Sequence, residues 1–332
     1  IIFFASLTAL LYHVGLMQRI VAALAWLLRR TMGVTGTEAL VMASNVFVGQ
    51  TEAPLCVKPF LDRMTRAQFA TLMVGGFATI AGSVLAAYVG ILAGESGVND
   101  ARRVLFIKHL LAASVMSAPA AFVIARILVP ERETPFDESI HATTSERPAQ
   151  NILDAAARGA TDGLHLALNV AAMLIAFVSL LALVNWPLEN LGDIDAIRAL
   201  LDRAGAEQLN LQTILGWIFM PLAWTMGVAW EDADIVGSLM GQKLVLTEFV
   251  AYASLGEALN NETGPALSDR SALIATYALC GFANFASIAI QIGGLTALAP
   301  GRRAVIVSLA FRAMIGGALA SWMTASIAGV LL

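Results

Sequence analysis

Charge is scarce in this chain: 13% of its 332 residues are Asp, Glu, Lys or Arg, where a soluble domain carries about 25%. With 58% hydrophobic residues and a mean hydropathy of +0.76, the apolar surface exceeds what a soluble core can hide, so the bilayer is the expected solvent. Histidine is limited to four and cysteine to two. Neither type shows metal-ligand spacing, and Cys56 and Cys280 read as small packing residues. No Gly-x-Ser-x-Gly or His-Glu-x-x-His run supplies a hydrolytic site, so an enzyme is not expected. The formal charge of −4 is close to neutral, and no Lys/Arg stripe interleaves with aromatics, which sets nucleic acid aside as a partner. No initiator Met or basic region precedes the apolar run at Ile1, which speaks against a signal peptide. That run reads as the end of a spanning helix, and the chain as a fragment missing at least one upstream helix.

What is present is a series of segments near the roughly 20 residues that cross hydrocarbon as a helix. The stretch from Phe69 to Ala93 is uncharged, Ser271 to Gly301 carries no charge until Arg302, and Leu164 to Pro187 holds one His. Leu105 to Val129 reads as a further span, with Lys108, His109 and Arg126 near its ends where long side chains reach water. Gly15 to Arg30 is amphipathic and fits the membrane surface. Arg302 and Arg303 mark the cytoplasmic start of a last span, Val305 to Leu332. Residues 1–130 form a first half, 131–151 a Pro-rich, charged connection, and 152–332 a second half that resumes with a span. Beyond the polar patch from Asp193 to Arg203, Leu211 to Trp230, with Trp217, Trp224 and Pro221, suits an interfacial or kinked helix. Asn261-Glu262-Thr263 matches a glycosylation sequon, which we set aside.

Two polar turns interrupt this apolar text. Gly49-Gln50-Thr51-Glu52-Ala53-Pro54 lies between Thr37 and Phe60, a stretch too short for two crossings, and Thr247-Glu248-Phe249 lies between Gly237 and Leu259. Both predict re-entrant hairpins. Each is followed by a Gly-Phe-Ala run inside an uncharged stretch: Gly76-Phe77-Ala78-Thr79-Ile80-Ala81-Gly82-Ser83 and Gly281-Phe282-Ala283-Asn284-Phe285-Ala286-Ser287. A single carboxylate at such a tip could be a hydrated interfacial group, but the duplication favours a buried site. The expected fold is all-α: a polytopic membrane protein with two re-entrant helical hairpins and two broken spans in inverted repeats. Thr79, Ser83, Asn284 and Ser287 place hydroxyls and an amide beside freed backbone groups. Phe77 and Phe282 occupy matching places. Asn45 offers either a neutral oxygen for a cation or a helix cap.

At these residues the chain resembles the sodium-coupled concentrative nucleoside transporters. The likeness rests on the four runs beginning at Gly49, Gly76, Thr247 and Ala275, the last being Ala275-Thr276-Tyr277-Ala278-Leu279-Cys280-Gly281-Phe282-Ala283-Asn284-Phe285. The resemblance implies Na⁺-driven import of nucleosides such as uridine, cytidine or adenosine. It implies a homotrimer in the cell inner (plasma) membrane, with scaffold and transport parts interleaved along the chain and the transport part moving like an elevator. It places the nucleobase at Gln50, Thr51, Glu52 and Val84. The ribose falls at Glu248, Asn284 and Ser287, with Phe282 lining the pocket. Sodium falls at Asn45, Val48, Thr79 and Ile80, two of them through carbonyls. A proton-coupled symporter of the same fold, with Glu52 or Glu248 as the carrier, is the alternative; retention of Asn45 and Thr79 favours sodium.

Overall fold

The computed structural model describes residues 2–94, 100–135, 137, 149–204, 206, 208–260 and 267–332. Most of the 131–151 connection and the Asn261–Thr263 sequon lie outside them. Among the described residues there are fourteen α-helices and no strand. The first seven are α1 Ile2–Val14, α2 Leu16–Met32, α3 Gly36–Asn45, α4 Arg66–Ala78, α5 Gly82–Ala93, α6 Asp100–Leu128 and α7 Ile152–Gly192. The remainder are α8 Asp195–Ala204, α9 Leu211–Thr225, α10 Ala233–Val245, α11 Glu248–Asn260, α12 Asp269–Leu279, α13 Phe285–Leu298 and α14 Arg303–Leu331.

Local chemistry sets the boundaries. α1 and α2 meet at 79° across Gly15, whose φ of 86° suits a residue without a Cβ. α3 and α4 each begin at a capping box, Thr35 with Glu38 and Thr65 with Gln68. In each, the Thr side chain accepts from the third N–H and the Glu or Gln accepts from the Thr N–H. The return arm of the first hairpin, Ala53–Arg63, is a 3₁₀ helix rather than an α-helix. Pro54 and Pro59 lack the N–H that an α-helical ladder needs.

The two halves repeat one order: a helix pair, a helix broken near its middle, then a long unbroken helix. α3 packs on the 3₁₀ arm and is followed by α4, α5 and α6; α10 packs on α11 and is followed by α12, α13 and α14. α14 packs on α4, α6 and α12, and α6 packs on α4 and α12. Among the described residues, Ala101–Leu128 and Pro300–Leu331 are long and apolar enough to cross a membrane, at 28 and 32 residues, and the α1–α2 pair, bent by 79°, passes the same test only when taken as one span.

The second half adds detail to the expected segments. The span expected at Leu164–Pro187 lies within a 41-residue helix, α7, about 60 Å long and packed along α1. The polar patch from Asp193 to Arg203 contains a further helix, α8. The Trp-rich segment forms α9, with Pro221 inside it, and packs along α10. Close approach there depends on Gly237, where a Cβ would stand 2.7 Å from the Met220 nitrogen.

At the base of the first hairpin, Glu38 is fully buried and accepts from Thr35 Oγ1 at 2.8 Å and from Arg126 at 2.8 Å. Arg126 also reaches Glu131 at 3.1 Å, and Glu131 accepts from Thr65 Oγ1 at 2.7 Å. Gln68 closes the circuit by donating to Thr35 Oγ1 at 3.1 Å. Both hairpin ends and the exit of α6 are thus tied together. Partial burial pushes the Glu131 carboxyl up, but hydrogen bonds from Thr65 and Arg126 outweigh it and hold the group below its ordinary 4.5. A carboxylate with a depressed folded pKa adds stability that is present above its unfolded value and fades as pH falls through the folded one. The unfolding temperature of the detergent-solubilised protein should therefore decline as pH drops below about 4.5, and Glu131→Gln should flatten that part of the profile. An equally steep decline in the variant would remove Glu131 as its source.

Candidate functional site

The two helix breaks differ in register. In the first, Gly76, Phe77 and Ala78 complete α4, and the chain opens only at 79–81. In the second, Gly281-Phe282-Ala283 is itself the opening between α12 and α13, and Gly281 sits at a φ of 106°. Phe77 and Phe282 are therefore not equivalent. Phe77 is wholly buried helix packing, whereas Phe282 is half-buried in a non-helical turn. The second break touches the last turn of α4, just ahead of the first: a Cβ on Gly281 would lie 2.6 Å from the Phe77 carbonyl oxygen.

Glu248 opens α11 at the tip of the second hairpin and is 7% exposed. Its Oε1 accepts from the Tyr88 hydroxyl at 3.1 Å and its Oε2 from Asn284 Nδ2 at 2.8 Å. Asn284 is also the N-cap of α13, its Oδ1 accepting from the Ser287 N–H at 2.8 Å. The one amide thus orients the carboxylate and starts the helix. Tyr88, on α5, is held by stacking on Tyr252 of α11 at 4.3 Å between centroids, and the Tyr252 hydroxyl donates to the Thr276 carbonyl at 2.8 Å. Glu248, Asn284 and Ser287 are accordingly brought together. Ser287 contributes its backbone N–H there.

The first tip divides. Gln50 turns inward, 9% exposed, and its Oε1 accepts from Gln291 Nε2 at 3.0 Å. Gln291, on α13, donates to the Met73 carbonyl as well, at 3.0 Å. Thr51 and Glu52 lie exposed on the tip, and no hydrogen bond or ion pair joins Glu52 to Glu248 among the described residues. Val84 is buried on α5. The tip meets the first break directly, through the Gly82 N–H donating to the Phe47 carbonyl at 2.9 Å. The side chain of Ser83 is outside the described set.

Asn45, Val48, Thr79 and Ile80 are all buried around that junction. Thr79 donates to the Gly75 carbonyl at 2.9 Å, and a Cβ on Gly75 would stand 3.2 Å from Asn45 Nδ2. Asn45 is 1% exposed, and neither its oxygen nor its nitrogen has a hydrogen-bond partner; it is not the helix cap its position allowed. A buried amide left unsatisfied costs about 1–3 kcal/mol. An orphaned oxygen at the C-terminal, negative end of α3 suits a small hard cation. The donor set fits sodium: neutral oxygens and no carboxylate or thiolate.

Sequence reasoning did not single out Tyr88, Lys243 or Gln291. Each is a polar side chain within a largely apolar helix, a signal that was available, but a polar letter does not reveal which partner it meets.

Comparison with known proteins gives the family. The family model described as Na+ dependent nucleoside transporter C-terminus matches residues 109–329, and one described as Gate: Nucleoside recognition matches residues 1–95. Mouse solute carrier family 28 member 3 is 43% identical over all of this chain and 46% of its own length. Rat sodium/nucleoside cotransporter 1 is 41% identical over all of this chain and 50% of its own. The chain thus spans about half the length of these relatives. A solved structure of CNTnw in an inward-facing substrate-bound state superimposes with a TM-score of 0.86 at 41% identity, covering 99% of this chain and 72% of that one. By full-length similarity to transporters and by a family model spanning most of its residues, this multi-pass membrane chain belongs to the Na⁺-dependent nucleoside transporter family.

Proposed function

We propose that this chain carries the moving core of a secondary active transporter that imports nucleosides by symport with Na⁺. The observation that carries the reading is the buried Glu248 carboxylate, held by Tyr88 and Asn284 at the junction of hairpin tip and broken helix. A carboxylate offers about four acceptor positions, and two protein donors leave room for two more. A ribose diol supplies two such donors with no net charge. Glu248, Asn284, Ser287 and the half-buried Phe282 form the sugar side; Gln50, Thr51, Glu52 and Val84 form the base side. Asn45, Thr79 and the carbonyls of Val48 and Ile80 hold the ion.

In this reading both helix pairs are re-entrant and enter from opposite faces, the halves being inverted repeats. Ion binding fixes the first tip, the nucleoside bridges the tips, and the loaded part crosses as an elevator against a scaffold that includes α7. The apolar residues Leu168, Ile175, Leu183 and Trp186 exposed on α7 would face lipid or neighbouring protomers of a homotrimer in the plasma membrane. The driving force suffices. One charge moving through about 150 mV yields about 3.5 kcal/mol, and a tenfold Na⁺ gradient adds about 1.4 kcal/mol. Together they sustain roughly three-thousand-fold accumulation.

Radiolabelled uridine uptake into vesicles, with choline replacing Na⁺, tests the reading. Concentrative uptake should vanish in choline and return as intact uridine with Na⁺. Uptake that follows a pH gradient without Na⁺ would transfer the coupling to protons.

A further inference from the structure

Lys243 is 1% exposed, two residues before the end of α10. Its Nζ donates to the Ala278 carbonyl at 3.0 Å, the Cys280 carbonyl at 3.0 Å and Ser321 Oγ at 3.2 Å. Ser321 sends its own hydroxyl proton to backbone carbonyls, Cys280 at 2.5 Å among them, so it serves Lys243 as an acceptor. Three acceptors around one nitrogen call for three N–H groups, which makes this group an ammonium. The charge rests on the C-terminal carbonyls of α12 and the first residue of the second break, groups that an interrupted helix leaves without ladder partners.

The first half offers a comparison. Asn45 occupies the last turn of that half's leading hairpin arm and lies beside Gly75 in the last turn of α4. Lys243 occupies the last turn of the second half's leading arm and lies beside Ala278 and Cys280 at the end of α12. One position holds an amide with no partner; the other holds a cation covalently attached to the chain.

We infer that Lys243 is a positioning residue for the sugar site, supplying to the second break the positive charge that an ion supplies to the first. This rests on the sodium reading under Proposed function. By anchoring the Cys280 carbonyl, the ammonium fixes the start of the non-helical segment whose other end is Asn284, the residue that holds Glu248. Lys243 need not touch the nucleoside to govern its affinity.

The test is Lys243→Met, which keeps an apolar stem of similar length and removes the charge. Uridine and Na⁺ half-saturation are measured in vesicles, and the Na⁺-dependent rise in unfolding temperature in detergent. Uridine half-saturation should rise at least tenfold, while Na⁺ half-saturation stays within twofold and the thermal response to Na⁺ persists. Ser321→Ala, which keeps the charge and both carbonyl bonds, should shift uridine half-saturation less than threefold. Unchanged uridine affinity in Lys243→Met, or uridine and Na⁺ affinities falling by one common factor, would overturn the inference. If that variant does not reach the membrane, Lys243→Gln is read by the same criteria, and failure of both to fold would reassign Lys243 to stability alone. Na⁺-independent uptake by the unaltered protein would instead overturn the symport reading, leaving the uridine comparison to stand on its own.

Discussion

Glu248→Gln should abolish most uridine transport, with uptake at limiting substrate falling at least a hundredfold while the protein stays folded and still responds to Na⁺. Tyr88 and Asn284 both donate to this carboxylate. A glutamine can still satisfy them: its oxygen can face Asn284, and its NH₂ can face the Tyr88 oxygen once that hydroxyl turns away. What it cannot do is present acceptors to two further hydroxyls. The amide oxygen keeps one free lone pair, so one hydrogen bond to a charged group, worth about 1.5–3 kcal/mol, is lost outright and the other loses its charge assistance, a cost on the order of a hundredfold. Dideoxyuridine provides the discriminating control, since a nucleoside without the diol should lose little between wild type and variant. Near-normal uridine uptake by Glu248→Gln would remove the carboxylate from the site.

Asn45→Ala should raise the Na⁺ concentration for half-maximal uptake more than tenfold and erase the Na⁺-dependent gain in thermal stability. Its second consequence has the opposite sign. Because both polar atoms of Asn45 are buried without protein partners, removing them relieves an unsatisfied amide. In Na⁺-free buffer the variant should therefore be at least as stable as wild type, although truncation leaves a small cavity. Unfolding temperatures with and without Na⁺ measure both effects. A variant destabilised equally in the two buffers would show that Asn45 serves packing, and an unchanged Na⁺ response would place the ion elsewhere.

The architecture was legible where a single residue type decides the backbone. Gly281 announces the second opening, and Glu248 and Glu52 announce tips within apolar text. The register of the first break was not legible. Gly76-Phe77-Ala78 has the same local composition as Gly281-Phe282-Ala283, yet its glycine remains helical and the opening moves three residues on, to Thr79. Packing between segments far apart in sequence decides that, not propensity. The same limit explains the acids. Both tips carry Thr-Glu, but Glu248 starts an α-helix and turns inward, while Glu52 precedes a proline-interrupted 3₁₀ arm and stays exposed. Tyr88, Lys243 and Gln291 were visible only as single polar letters, because the groups they serve lie 35 to 241 positions away along the chain.

The contact between the end of α4 and the second helix opening has a thermodynamic corollary. Gly281 lies directly against the Phe77 carbonyl, so in the proposed reading the backbone leading to the ion site and the backbone leading to the sugar site share one van der Waals boundary. Any adjustment on one side is felt on the other with no intervening side chain to absorb it. Free-energy linkage requires the influence to be mutual: whatever factor the ion adds to nucleoside affinity, the nucleoside returns to the ion.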